Sequence, residues 1–266
     1  IWLQYELAVP LAMIVLITLV FPTFYRAGGF SIYEFLEHRF DRATRVWLSG
    51  IFQIARVLAA AVTIYGVASI IALITGLTFF QSVLIFGLVT VIYDYFGGIN
   101  GVIFSDVLQM TVLVIVLIWV FATMWGGDAN PFETLVSSEP ERAVIIDFAS
   151  HGLGDGKDFA FWPMLFGGLF LYVAYYGLDQ SQAQRLLTAS SEGVGKKALF
   201  LNGVLRLPLV CLYCAIGVGL AQYAVIDASF ISRLPEGANG PDFNMALPRY
   251  MIDTFAAGWL GLAMVA

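Results

Sequence analysis

Apolar runs of about 20 residues recur from one end of this chain to the other, and that repetition confines it to very few folds. A run of that length crosses a hydrocarbon layer roughly 30 Å thick as a helix, and in lipid the backbone must satisfy its own hydrogen bonds. Seven spans are predicted: about Leu3 to Tyr25, Val46 to Thr75, Phe79 to Tyr95, Val102 to Trp125, Phe159 to Gln182, Ala198 to Tyr223, and one from about Tyr250 to the end. The second is long enough to tilt or to project beyond the bilayer. A lone signal peptide or anchor does not produce such a series. Composition agrees: of 266 residues 60% are hydrophobic and 12% charged, with a mean hydropathy of +0.85. The expected class is all-α integral membrane, and nucleic acid is excluded as a partner.

Loop charges test the count, because Lys and Arg in short loops mark the cytoplasmic side. Arg26, Arg39, Arg42 and Arg45 follow the first span, and Arg185, Lys196 and Lys197 follow the fifth. Both loops are expected to be cytoplasmic. The loop Gly126 to Asp158 sets Asp128, Glu133, Glu139, Glu141, Asp147, Asp155 and Asp158 against Arg142 and Lys157. By parity it is expected outside, as are the loop Ala224 to Arg249 and the start of the chain. Ser31 and Glu34 form a capping-box pattern, so a short surface helix is expected after the first span. The chain begins Ile-Trp-Leu-Gln and ends within the apolar run Trp259 to Ala266. It is expected to be one transmembrane transporter domain over 1–266, cut from a longer protein.

An ionisable residue inside a span is costly and by default marks a cavity, a partner or a pathway. Glu6, beside Tyr5, reads either as an interfacial residue or as part of a site. Arg56 lies about ten residues into the second span, too deep for easy snorkelling. Ser105 and Asp106 follow the glycine-rich turn Gly97 to Gly101. They offer the oxygen ligands that hard cations prefer, or the cap of a helix start. The fifth span interrupts its apolar run with Tyr172, Tyr175, Tyr176, Gly177, Asp179, Gln180, Gln182 and Gln184. That pattern suggests a discontinuous helix holding a solute near the midplane, with Tyr175 and Tyr176 readable also as interfacial belt residues. Asp179 to Arg185 is expected near the cytoplasmic exit. Cys211 and Cys214 form a CxxC inside an apolar span without a second pair, and read as small apolar residues. His38 and His151 read as solvated. No phosphate-binding glycine loop supports ATP-driven transport, and no nucleophile, base and metal constellation supports an enzyme.

These motifs resemble the sodium:solute symporter family. The resemblance rests on Phe21-Pro-Thr-Phe-Tyr25 with Tyr33-Glu-Phe-Leu-Glu-His-Arg-Phe40, on Gly97-Gly-Ile-Asn-Gly-Val-Ile-Phe-Ser-Asp-Val-Leu-Gln109, and on Asp179-Gln-Ser-Gln-Ala-Gln-Arg185 with Lys196-Lys197 behind it. It implies the leucine-transporter-type inverted-repeat fold, with the seven spans as core helices two to eight and core helices one, nine and ten missing. It implies that Tyr5-Glu6 is similar to the pair that touches sugars in the sugar branch. Tyr172 to Gly177 would be similar to the broken core helix six, Arg56 to an arginine that meets carboxylates, and Asp106 to the aspartate that supports sodium binding.

The expected function is therefore sodium-coupled symport of a small organic solute across the plasma membrane, by alternating access. Na+ is the coupling ion; no other metal and no cofactor is expected. The solute is a carboxylate, a sugar or an amino acid: Arg56 leans toward a carboxylate, Glu6 toward a polyol or amine. The alternative is a membrane-embedded solute-sensing module of a signalling protein.

Overall fold

A computed structural model describes residues 2–28, 31–127, 130–138, 144–152, 154, 159–237 and 240–265. The described chain is almost entirely helical: α1 (Leu3–Ala27), α2 (Ile32–Arg39), α3 (Arg42–Thr75), α4 (Phe79–Trp125), α5 (Pro131–Ser138), α6 (Phe161–Gly177), α7 (Gln180–Leu187), α8 (Glu192–Ile226), α9 (Ala246–Thr254) and α10 (Ala257–Val265). A two-stranded hairpin, β1 (Glu236–Gly237) and β2 (Gly240–Pro241), lies between α8 and α9. By length and composition α1, α3, α4 and α8 can each cross a membrane, as can α6 and α7 if that bent pair counts as one span.

Several expected boundaries move. The third and fourth spans meet end to end in α4, whose 47 residues are two helices joined across a kink at Gly98, between the expected end at Tyr95 and the expected start at Val102. Within it only Gly98 leaves helical geometry, at φ 53° and ψ −161°. Ser105 and Asp106 therefore lie inside α4 and do not cap a helix start. The second span begins earlier, at Arg42, and its 34 residues reach about 51 Å at 1.5 Å per residue. The fifth span does break, but after the tyrosines: α6 ends at Gly177, where the Leu178 and Asp179 N–H groups both donate to the Ala174 carbonyl. The chain then bends by 57° into α7. The seventh span is two short helices. Asp253, near the end of α9, pairs with Arg233 and Arg249, so α9 carries fixed charge and the apolar run begins only at α10. Ser31 caps α2 by accepting from the Glu34 N–H, as its pattern predicts. Asp128, Glu139, Glu141, Arg142, Asp155, Lys157 and Asp158 lie outside the described residues.

The chain divides into two compact units, Ile1–Gln53 with Val136–Cys211, and Ile54–Leu135 with Leu212–Ala266. In the first, α1 buries Ala8, Val9, Ala12, Met13 and Leu16 along one face, against Tyr172 of α6 and Leu199 of α8. Pairings along the helices give their directions. Gly168 meets Tyr5 and Ala8 while Gly177 meets Leu16 and Val20, so α6 runs parallel to α1. Gly195 meets Phe21 while Gly203 meets Met13 and Pro10, so α8 runs antiparallel. In lipid no hydrophobic gain separates these helices from their surroundings, and close packing at small residues takes over that role.

Arg26 of α1 pairs with Glu192 of α8 at 2.9 Å, and Tyr25 Oη donates to the Ala189 carbonyl at 3.1 Å. Gln180 accepts from the Ile32 N–H at 2.9 Å, and Asp179 caps α7 by accepting from the Ser181 N–H. The Asp179–Arg185 motif thus ties helix ends together.

The second unit is joined by aromatic and polar contacts. Trp119 stacks on Trp259 at 4.7 Å, Trp125 Nε1 donates to the Ala215 carbonyl at 3.1 Å, and Tyr250 lies edge-on to Tyr223. Beyond the end of α8, Arg233 bridges Asp227 at 2.7 Å and Asp253 at 3.1 Å.

Candidate solute-binding site

A polar cluster of the first unit lies where α1, α6 and α8 meet, and local sequence shapes it. Pro10 has no N–H for the Glu6 carbonyl, and the helical pattern of α1 lapses at Leu7, between Trp2–Glu6 and Ala8–Val15. Pro22 likewise has no N–H for the Thr18 carbonyl, and a π-turn over Leu16–Val20 precedes it. In α8, Pro208 denies Val204 its helical donor two residues beyond Arg206.

Glu6 is 2% exposed. It is no solvated interfacial residue. Its Oε1 accepts from Tyr172 Oη at 2.8 Å and from Arg206 Nη2 at 3.5 Å. Its Oε2 accepts from Arg206 Nε at 3.0 Å. Arg206 Nη1 reaches Tyr176 Oη at 3.5 Å, and the guanidinium carbon lies 5.5 Å from the Tyr172 ring centre, within cation–π range. Tyr5 and Tyr176 flank Tyr172 with ring centres 5.5 and 6.3 Å away. Tyr175 packs edge-on to Tyr176 and accepts from Gln182 Nε2 at 3.2 Å. Gln4, fully buried, accepts from the Asp147 N–H at 3.2 Å and donates to Met164 Sδ at 3.0 Å.

Of the residues expected to bind solute, Glu6, Tyr172, Tyr175 and Tyr176 come together on α1 and α6. Arg56, on α3, is half-buried and belongs to the second unit, as do Ser105 and Asp106, also half-buried, on α4. Arg206 and Gln4 escaped the sequence reading. The rule that singles out Arg56 applies equally to Arg206, a cation within the apolar run Ala198 to Tyr223. Among the described residues no group of three or more His, Cys, Asp or Glu side chains is arranged to hold a metal ion. A buried ion pair walled by tyrosines offers charge and aromatic surface to a small solute and no covalent chemistry.

This packing has a counterpart in a solved structure. The substrate-bound outward-open state of a Na+-coupled sialic acid symporter superposes with a TM-score of 0.82 at 23% identity, over 98% of this chain and 54% of that one. The chain is thus an all-α integral membrane protein of the leucine-transporter-type fold. The model of the sodium:solute symporter family matches residues 1–266, and the chain belongs to that family. Among curated relatives, sodium-coupled monocarboxylate transporter 2 of Danio rerio is 34% identical over 77% of this chain and 32% of its own length. The human sodium/iodide cotransporter is 31% identical over 91% of this chain and 36% of its own. This chain spans about a third of the length of these relatives.

Proposed function

We propose that the full-length protein is a sodium-coupled secondary active symporter of a small organic solute, a multi-pass protein of the plasma membrane with the start of this chain on the outer side. Na+ moving down its gradient drives the solute inward by alternating access. The observation that carries the reading is the buried Glu6–Arg206–Tyr172 cluster within helices of membrane length, since a charge pair kept there serves a pathway or a site by default. Glu6, Tyr172, Tyr175 and Tyr176 form one wall of the solute pocket, and Arg56 is assigned a solute-binding role by itself, from its depth in α3. Ser105 and Asp106 support sodium binding through oxygen ligands. Family membership over the whole chain, and the sodium-coupled transporters among its relatives, support the coupling ion.

The test is solute uptake into proteoliposomes holding the full-length protein, with sodium outside or replaced by choline. Sodium-dependent uptake that Asp106→Ala reduces at least about tenfold is expected, a loss of about 1.4 kcal/mol. Uptake indifferent to sodium replacement would sink the symport reading.

A further inference from the structure

Helix α1 carries one residue more than a regular α-helix has room for, at Leu16–Val20. The Phe21 N–H donates to the Leu16 carbonyl, five residues back instead of four, so the turn between them is wide. Pro22 follows the turn, but proline alone does not call for one. Pro208 stands inside α8, which runs from Glu192 to Ile226 without a wide turn.

The turn is seated on the end of another helix. A Cβ on Gly177 would lie 2.5 Å from Leu16 Cδ2 and 3.1 Å from Val20 Cγ1. Gly177 is the last residue of α6, where that parallel neighbour bends by 57° into α7. So α1 widens and α6 breaks at one level, in contact. Beyond the turn α1 is fastened to the start of α8: Phe21 packs on Gly195, Tyr25 Oη donates to the Ala189 carbonyl at 3.1 Å, and Arg26 pairs with Glu192 at 2.9 Å. Before the turn it is fastened by Met13 and Pro10 against Gly203. Glycine on the facing helix at each of these levels leaves no Cβ for α1 to ride over when it turns about its axis.

We infer that the wide turn is a register-shifting joint in α1, and that Arg26–Glu192 with Tyr25–Ala189 is the catch that holds one of its two registers. The extra residue passes along the helix and leaves at Gly28, where α1 ends in a left-handed cap at φ 69°. Each residue from Val20 to Ala27 then advances one place, about 1.5 Å along the axis and about 100° around it. Val20 takes the place of Phe21 opposite Gly195, Tyr25 takes that of Arg26 beside Glu192, and the ion pair opens. Pro22 sets the balance, because in a regular α-helix its ring meets the carbonyl four residues back, that of Thr18, and the wide turn relieves this. The role in transport rests on the symport reading above, with the two registers belonging to different steps of alternating access.

The test uses full-length protein in lipid, with spin labels on Ala27→Cys and Lys197→Cys in a Cys211→Ala/Cys214→Ala background. The shift carries a side chain about 5 Å from the axis by on the order of 8 Å, so the two registers give two label separations in pulsed magnetic resonance. The parent should show a main and a minor separation, and Pro22→Ala should raise the share of the minor one severalfold. The second variant deletes Leu19, whose side chain takes no part in the buried cluster of α1. The deletion turns the Leu16–Phe21 bond into an ordinary four-residue one and keeps both halves of α1 in register with Gly177, Gly195 and Gly203. It should melt within a few degrees of the parent, show the main separation alone, and lower proteoliposome uptake at least about tenfold. One separation shared by the parent and Pro22→Ala overturns the joint, as does parental uptake by the folded deletion variant. A deletion variant that fails to fold leaves the decision to the separations. Two separations in a protein whose uptake ignores sodium keep the joint and sink the symport reading. Sodium-driven uptake with a single separation does the reverse.

Discussion

Replacing Arg206 by alanine leaves the Glu6 carboxylate buried with Tyr172 as its remaining side-chain donor. Breaking a buried pair from one side costs about 3–5 kcal/mol. The lower end is expected here, since the arginine is one-third exposed. Glu6→Ala should cost less, because the guanidinium left behind can still be solvated. Unfolding of both single variants and the Glu6→Ala/Arg206→Ala double in detergent should give a coupling energy of about 1–3 kcal/mol; additive losses would show that the contact carries no energy of its own. Glu6 was legible in the sequence as an ionisable residue beside an apolar span, whereas Arg206, which the same rule covers, was passed over. Their pairing was not legible, because 200 positions separate them and helical periodicity reports one helix at a time. A second pairing concealed in the same way lies beyond the end of α8. There the Ser229 hydroxyl and then the Arg233 guanidinium hold the Asp227 carboxyl well below the usual carboxylate range, at about 2. Asp227 in turn holds the Arg233 guanidinium above its ordinary value. A depressed folded-state pKa gives stability that is complete above the unfolded value of about 3.9 and lost as pH falls through the folded one. Hydrogen exchange across 227–233 should therefore be flat from about pH 8 to 4, once corrected for intrinsic rates, and lose protection from there toward pH 2. Loss already between pH 7 and 5 would rule out this carboxylate as the group responsible.

Helix α8 approaches α1 so closely at Gly195 that a Cβ there would lie 2.2 Å from Phe21 Cζ, a ring that is itself buried. Gly195→Ala is expected to destabilise the first unit by about 1–3 kcal/mol through overpacking. Phe21→Leu in the same molecule should recover part of that loss. No recovery in thermal unfolding would mean the strain lies elsewhere. Gly98 is constrained differently, since nothing lies within 4 Å of its Cβ position while φ is 53° and ψ −161°. Gly98→Ala should cost about 1–3 kcal/mol of backbone strain, undiminished by trimming neighbouring side chains. Hydropathy alone located the long apolar elements, because solvation in lipid dictates their length and polarity. The glycines and polar residues located two of the breaks to within a few residues. Five residues, Gly97 to Gly101, read as a turn, yet only Gly98 leaves the helix, since one residue in a glycine-only conformation is enough to divide α4. The tyrosines of α6 read as a broken segment, yet the break follows them, where Asp179 caps α7. In the last span the ion pairs of Asp253 with Arg233 and Arg249 divided a run that composition treats as continuous.

Across the whole chain, the Glu6–Arg206 cluster proposed to meet the solute belongs to the first compact unit, and Ser105 and Asp106, proposed to support sodium binding, belong to the second. Symport on this plan requires that Na+ and solute favour the same states of the protein, and linkage makes the effect reciprocal: if Na+ raises solute affinity by some factor, solute raises Na+ affinity by the same factor. That yields a prediction which neither site tested alone could pass. In full-length protein, Asp106→Ala should weaken Na+ binding and remove most of the sodium-induced gain in solute affinity, leaving solute affinity measured in choline within about twofold of the parent. A typical coupling of 1–3 kcal/mol corresponds to a gain of about 5–150-fold, large enough to follow by ligand-induced thermal stabilisation. A Glu6→Gln/Arg206→Gln variant should show the mirror image, with Na+ stabilisation retained in the absence of solute and no further gain when solute is added. If Asp106→Ala instead weakens solute binding equally with and without sodium, its effect is on the fold of the solute site and the assignment of Asp106 to the ion fails. The family was legible from short motifs along the chain, whereas the assignment of Glu6 and Asp106 to different compact units was not, because it depends on which helices pack together and no single span records that.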